Sequence, residues 1–118
     1  MLPNRMVLSH QTEEQLKKLK GYTGITPNVA ARLAFFRSVE SEFRYIPDRD
    51  NKKLDGAMTL DKITWLGETL QATELVLKML YPQLEQKLLV KAWAAHVDDG
   101  IASVRNHRNL LSFSQVIN

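Results

Sequence analysis

The sequence predicts a mainly α-helical fold: a short N-terminal strand and a helix-turn-helix, followed by two or three packed helices, all in one domain of 118 residues. Three observations predict it. Apolar residues recur at helical spacing through most of the chain. A brief alternating segment precedes them. Glycine and proline fall between the periodic stretches, where chain direction must change.

The strand is read at residues 3–9. Arg5, Val7 and Ser9 point one way, and Met6 and Leu8 point the other, toward a core. Thr12-Glu13-Glu14-Gln15 fits a capping box with Thr12 as N-cap, and Leu16 and Leu19 give the following helix its apolar side. Gly21 and Gly24 bracket a turn. Thr26 then caps a second helix with Pro27 at its first position, where a missing N–H costs nothing. Val29, Leu33 and Phe36 carry that helix to about residue 43. Residues 44–59 are polar and rich in breakers and read as a loop.

A third helix is expected over residues 60–80. Ile63, Leu66, Leu70, Leu77 and Leu80 form its stripe, widened by Trp65, Ala72, Val76 and Met79. Such a broad face suggests burial on two sides, against the chain's own core and against a partner chain. Tyr81-Pro82 ends it. A fourth helix starts near Pro82 with Leu84, Leu88, Ala92 and Ala95 at helical spacing, and Asp98-Asp99-Gly100 weakens or ends it. A last helical stretch is read at residues 101–113.

Composition excludes several functions. There is no cysteine, so disulfide scaffolds, thiolate metal sites and cysteine nucleophiles are out. No apolar run approaches the roughly 18 residues of a membrane span, and the first residues lack the pattern of a signal peptide. The expectation is a cytoplasmic protein that contacts no membrane. The net charge is +3, and its placement says more than its size. Residues 1–37 hold six basic residues against two acidic ones, whereas residues 38–118 are close to neutral. A basic N-terminal unit on a neutral body is the outline of an anion-binding module, with DNA the commonest large anion.

A lone strand leaves backbone N–H and C=O groups unpaired. The partner strand is therefore expected from another copy of the chain, which predicts a homo-oligomer. A strand, a helix, a turn and a second helix behind a basic start resemble a ribbon-helix-helix unit. In that family two chains pair their strands into a ribbon that fits the major groove. Arg5 would then reach guanine or phosphate. Thr26 and Asn28 sit at the second helix N-terminus, which that family places against a phosphate and whose free N–H groups suit an anion. Met6 and Leu8 would lie at the subunit interface, and Gly21 and Gly24 would permit a neighbouring subunit's close approach.

A wider resemblance covers essentially the whole chain. Asn4-Arg-Met-Val-Leu-Ser9, the run from Gln15 to Glu40 that contains Lys17-Lys-Leu-Lys-Gly-Tyr-Thr-Gly24, and Lys62-Ile-Thr-Trp-Leu-Gly-Glu-Thr-Leu70 resemble the DNA sulfur modification protein family DndE. The resemblance implies a place in the bacterial system that replaces a non-bridging phosphate oxygen of DNA with sulfur. Sulfur chemistry and ATP use belong to other components of that system. It implies a small non-catalytic DNA-binding accessory, associated with tetramers, nicked duplex DNA and the other sulfur modification proteins. The resemblance implies that it is not the sulfur carrier, and the absence of a thiol agrees.

Catalysis has no support in the residues. The histidines are His10, His96 and His107, and none has His-Glu-x-x-His spacing. His107 lies between Arg105 and Arg108 and reads as a phosphate or solvent contact. Asp98 and Asp99 are adjacent and do not share a helix face. Trp65 and Trp93 read as core or interface residues. No cofactor and no metal are expected. Lys17, Lys18 and Lys20 are the expected phosphate contacts, with Arg5 next. Backbone-directed binding needs positive charge but no base code. Two other readings stay open: an adaptor that does not touch DNA, and a nicking enzyme that uses Asp98 and Asp99.

Overall fold

Ser9, not Thr12, starts the first helix. In the computed structural model, which describes residues 1–104, Ser9 has extended backbone (φ −69°, ψ 154°) and its Oγ accepts the Thr12 N–H at 3.1 Å. Helix α1 therefore runs His10–Thr23. Thr12 is buried inside the first turn, where its hydroxyl donates to Asp98 Oδ1 at 2.8 Å. Gly24 ends α1 in the left-handed region at φ 78°, with its N–H returning to Lys20 O at 2.8 Å. Thr26 and Pro27 open α2, Pro27–Glu40, as the sequence predicts. It stops at Ser41, whose hydroxyl donates to Ser38 O and accepts the Phe43 N–H. That closes the helix before the expected residue 43.

The strand has its partner within the same chain. Strand β1, Arg5–Met6, pairs antiparallel with β2, Leu60–Asp61, in the register Arg5↔Asp61 and Met6↔Leu60. This corrects the expectation of a ribbon shared between two copies. Alternation shows that a strand needs a partner, not which chain supplies it. The 41–59 segment, which holds no helix or strand, carries the chain back to β1. Met6 and Leu8 are correspondingly packed inside this chain's own core, at 1% and 0% exposure.

The expected helix over residues 60–80 is broken. After β2 come α3, Lys62–Leu66, a 3-10 turn at Gly67–Thr69, and α4, Leu70–Leu80. Gly67 makes the break. Its φ is +52°, and a Cβ there would meet the Arg32 guanidinium at 2.8 Å. That guanidinium takes over the carbonyls that a continuous helix would bond. Arg32 Nε donates to Trp65 O at 2.8 Å and its Nη2 to Thr64 O at 2.9 Å. The apolar stripe splits as a result. Trp65, Leu66 and Leu77 are buried, while Ile63, Leu75 and Met79 are exposed.

Helix α5, Gln86–Val104, runs straight through Asp98-Asp99-Gly100, which corrects the expected stop. Gly100 serves packing here. A Cβ would run into the Ala34 carbonyl, so its absence lets α5 lie directly against α2. The α2–α5 pair forms the centre of one buried cluster that also takes in Leu2, Met6, Leu8, Leu16, Trp65 and Leu77. Trp65 and Trp93 meet edge to face at 5.6 Å, and Trp65 Nε1 donates to Met6 O at 2.9 Å, tying α3 to β1. No helix among the described residues is long and apolar enough to cross a membrane. Most of the helical stretch expected at residues 101–113 lies outside the described residues.

Candidate nucleic-acid interface

Helix α1 divides cleanly by face. Thr12, Glu13, Leu16 and Leu19 turn into the core, at the spacing of one helix side. Lys17, Lys18 and Lys20 are exposed on the other side. They are not equivalent. Lys17 Nζ lies 3.9 Å from Glu13 and 3.6 Å from Glu14. Glu13 is fully buried and accepts the N–H groups of Ala57 and Met58 at 3.1 and 2.9 Å, which pins the long loop onto α1. Lys17 thus stands beside a buried carboxylate. The side chains of Lys18 and Lys20 have no ion pair or hydrogen bond among the described residues. They present charge to solvent, and no side chain among the described residues competes with a phosphate for it.

The other expected contacts are placed differently. Arg5 is exposed, but its Nη1 donates to Asp61 at 3.1 Å and its Nη2 to Thr59 O at 2.8 Å, so the guanidinium clamps the β1–β2 pair. Asn28 Nδ2 donates to Thr64 O at 3.2 Å, sharing with Arg32 the capping of α3. Thr26 is exposed and its side chain caps nothing. Gly21 and Gly24 face open space, with no atom within 4 Å of a built Cβ. The turn they bracket is therefore unobstructed on this chain. Tyr22 lies between these glycines and is 49% exposed.

One cluster joins a serine, a histidine and aspartate, and its hydrogen bonds fix its direction. Ser38 Oγ donates to Asp99 Oδ2 at 2.8 Å. Its single proton is then used, so at 2.9 Å it accepts from His96 Nδ1–H. His96 Nε2 is left as an acceptor for the Tyr81 hydroxyl, which in turn accepts the Tyr45 N–H at 2.7 Å. Ser38 accepts from the imidazole instead of giving it a proton and is 1% exposed, which is the reverse of a histidine-activated, accessible nucleophile. Burial, with the Arg44 charge second, pushes the His96 pKa down to about 4. Asp98 turns the other way, to Thr12 and to Lys52 Nζ at 3.1 Å. The expected divergence of the two aspartates is what the helix shows. No group of three or more histidine or acidic side chains among the described residues is placed to hold a metal. His10 is exposed at the start of α1, and His107 lies outside the described residues.

Comparison with known proteins gives the family. A family model described as DNA sulphur modification protein DndE matches residues 5–112. The chain belongs to the DndE family. A crystal structure of DndE from Escherichia coli B7A, described as involved in DNA phosphorothioation modification, is 86% identical to it. That structure covers 87% of this chain and 99% of its own, with a TM-score of 0.86. A DndE G21/24K mutant described as involved in DNA phosphorothioation is 83% identical over 88% of this chain and 99% of its own, with a TM-score of 0.84. No curated protein sequence matches. This DndE-family chain is thus a helical body with a two-strand clasp, and its α1 carries the outward lysines.

Proposed function

We propose that this DndE-family chain is a non-catalytic, DNA-binding component of the DNA phosphorothioate modification system. It acts in the cytoplasm as a single-domain protein and works with the other sulfur modification proteins. The observation that carries the reading is the pair Lys18 and Lys20, exposed and without partners among the described residues. Phosphate contact requires charge of this kind and no base code. Lys17 adds to the local field, while its proximity to Glu13 and Glu14 makes it the weaker contact. Thr26 and Asn28 lie past the turn and contribute at most the uncapped first turn of α2. Arg5 becomes secondary, because its guanidinium is engaged. The 86% identical Escherichia coli protein, described as involved in phosphorothioation, supports the system assignment.

Association into a homo-oligomer, a tetramer by the resemblance, would bring several such faces together and strengthen their joint field. With β1 paired internally and Met6 and Leu8 buried, support for it moves to the exposed Ile63, Leu75 and Met79. The same apolar residues favour a second reading, an adaptor that docks on another modification protein. Analytical ultracentrifugation with intact and nicked oligonucleotide duplexes separates the two. The first reading expects a species at a multiple of 13.5 kDa that carries DNA with it. A lone protomer that ignores both duplexes in dilute buffer would refute it.

A further inference from the structure

We propose that the cleft between α5 and the loop at residues 49–54 binds a nucleoside monophosphate, with Lys91 taking the phosphate and Asp99 the amino edge of the base. The cleft encloses about 530 Å³, within the roughly 300–1,000 Å³ of small-molecule pockets. Its floor is one stripe of α5. Lys91, Ala94, Ala95, Asp98, Asp99 and Ala102 recur every three or four residues and all line it. Half of these are alanines, and such small side chains leave an apolar strip under the loop where larger ones would fill the space. The loop is tied across the strip at its rim, where Lys52 Nζ donates to Asp98 at 3.1 Å and to Gln11 at 3.2 Å.

The charges lining the cleft balance, and their pairing decides which remain available. Arg49 is spent on Asp50, through Nε at 3.0 Å and Nη2 at 2.8 Å, and Lys52 is spent on Asp98. Lys91 is exposed, and its Nζ has no partner among the described residues. Asp99 accepts the Ser38 hydroxyl at Oδ2, and its Oδ1 has no partner among the described residues. A free ammonium and a free carboxylate oxygen thus belong to one stripe, separated by about 12 Å of helix axis, with Ala94 and Ala95 between them. The matching ligand carries an anion at one end, an N–H donor at the other and apolar faces between. A mononucleotide has those parts in that order and a comparable length. Cytosine suits the carboxylate best among the pyrimidines, because its amino group donates where thymine turns a carbonyl oxygen. A free nucleotide and the overhanging end of a DNA strand offer the same groups. The site shares no residue with the α1 lysine face, so the two readings stand or fall separately.

The test is equilibrium dialysis of the full chain against dCMP, dTMP and deoxycytidine. Saturable uptake of dCMP is expected. Deoxycytidine should bind roughly fivefold more weakly, the upper scale of an exposed ion pair, and Lys91→Gln should lower dCMP to the same level. Cytosine should be preferred over thymine by roughly tenfold, the scale of a hydrogen bond to a charged group. Asp99→Asn should erase that preference, and its amide oxygen can still accept from Ser38. Ala95→Leu, which fills the floor without touching either polar group, should abolish uptake. Competition by a duplex with a one-nucleotide dC overhang, and none by a blunt duplex, would support a strand end as the ligand; uptake of dCMP that neither duplex opposes would support a free nucleotide. No saturable uptake of dCMP, equal affinity for dCMP and deoxycytidine, or full uptake by Lys91→Gln or Ala95→Leu would overturn the proposal.

Discussion

Helices α1 and α5 are built for opposite purposes. Helix α1 gives the core only Thr12, Glu13, Leu16 and Leu19 and turns three lysines and a tyrosine outward. Helix α5 buries Leu89, Ala92, Trp93, Ala94, His96, Val97 and Ile101 and gives up a side chain at Gly100 to approach α2. The contrast teaches that folding energy and the proposed binding energy reside in different helices. Changes to one should leave the other nearly untouched.

The largest test of that separation is at the centre. Trp65→Ala removes a fully buried indole that packs on Trp93 and strips Met6 O of its donor. It should cost about 3–5 kcal/mol in urea unfolding. A loss under about 1 kcal/mol would mean that the α3–α5 contact is not where stability resides.

The next effect is a pH dependence. His96 has a pKa near 4 in the fold, against 6.5 when solvated. The unfolded chain therefore takes up the proton first as pH falls. Stability from this group is complete above pH 6.5, declines between 6.5 and 4, and levels off below. Each unit of the depression is worth about 1.4 kcal/mol. Arg44 and Asp50 act on the ring in opposite senses, and the relay ends on Asp99. Unfolding free energies of the unmodified protein and His96→Gln, measured from pH 7.5 to 4, should converge as pH falls. Parallel curves would contradict the assignment of His96 as a buried neutral acceptor.

The smallest effect separates lysines on one helix. Lys17→Gln leaves the buried Glu13 carboxylate without its cation and should cost up to about 1 kcal/mol. Lys18→Gln and Lys20→Gln should stay within about 0.5 kcal/mol of the parent. Thermal unfolding of the three variants checks the ranking, and a larger loss at Lys18 or Lys20 would break it.

Much of this arrangement was legible in the sequence. The start of α2 at Thr26-Pro27, the stop at Tyr81 and the outward lysines follow from local chemistry and helical spacing. What escaped depends on contacts between distant residues. Ser9 outcompetes Thr12 as cap because Thr12 is drawn toward Asp98, 86 positions away. The break at Gly67 needs Arg32 from another helix. The strand partner at residues 60–61 is two residues long, too short to show a period. Asp98-Asp99-Gly100 reads as a stop, yet Thr12, Ser38 and Ala34 each meet one of its three residues and keep the helix running. In the candidate site, exposure of the lysines could be read from the pattern. The engagement of Arg5 and Asn28 by backbone carbonyls could not.

The central claim is that the uncompensated lysines of α1 hold a DNA backbone. It is tested most directly by the salt dependence of duplex affinity for the parent and for Lys18→Gln combined with Lys20→Gln. The account predicts a shallower slope of log affinity against log salt, by up to roughly 0.9 for each lost phosphate contact. An identical slope in the two proteins would place the DNA elsewhere on the molecule.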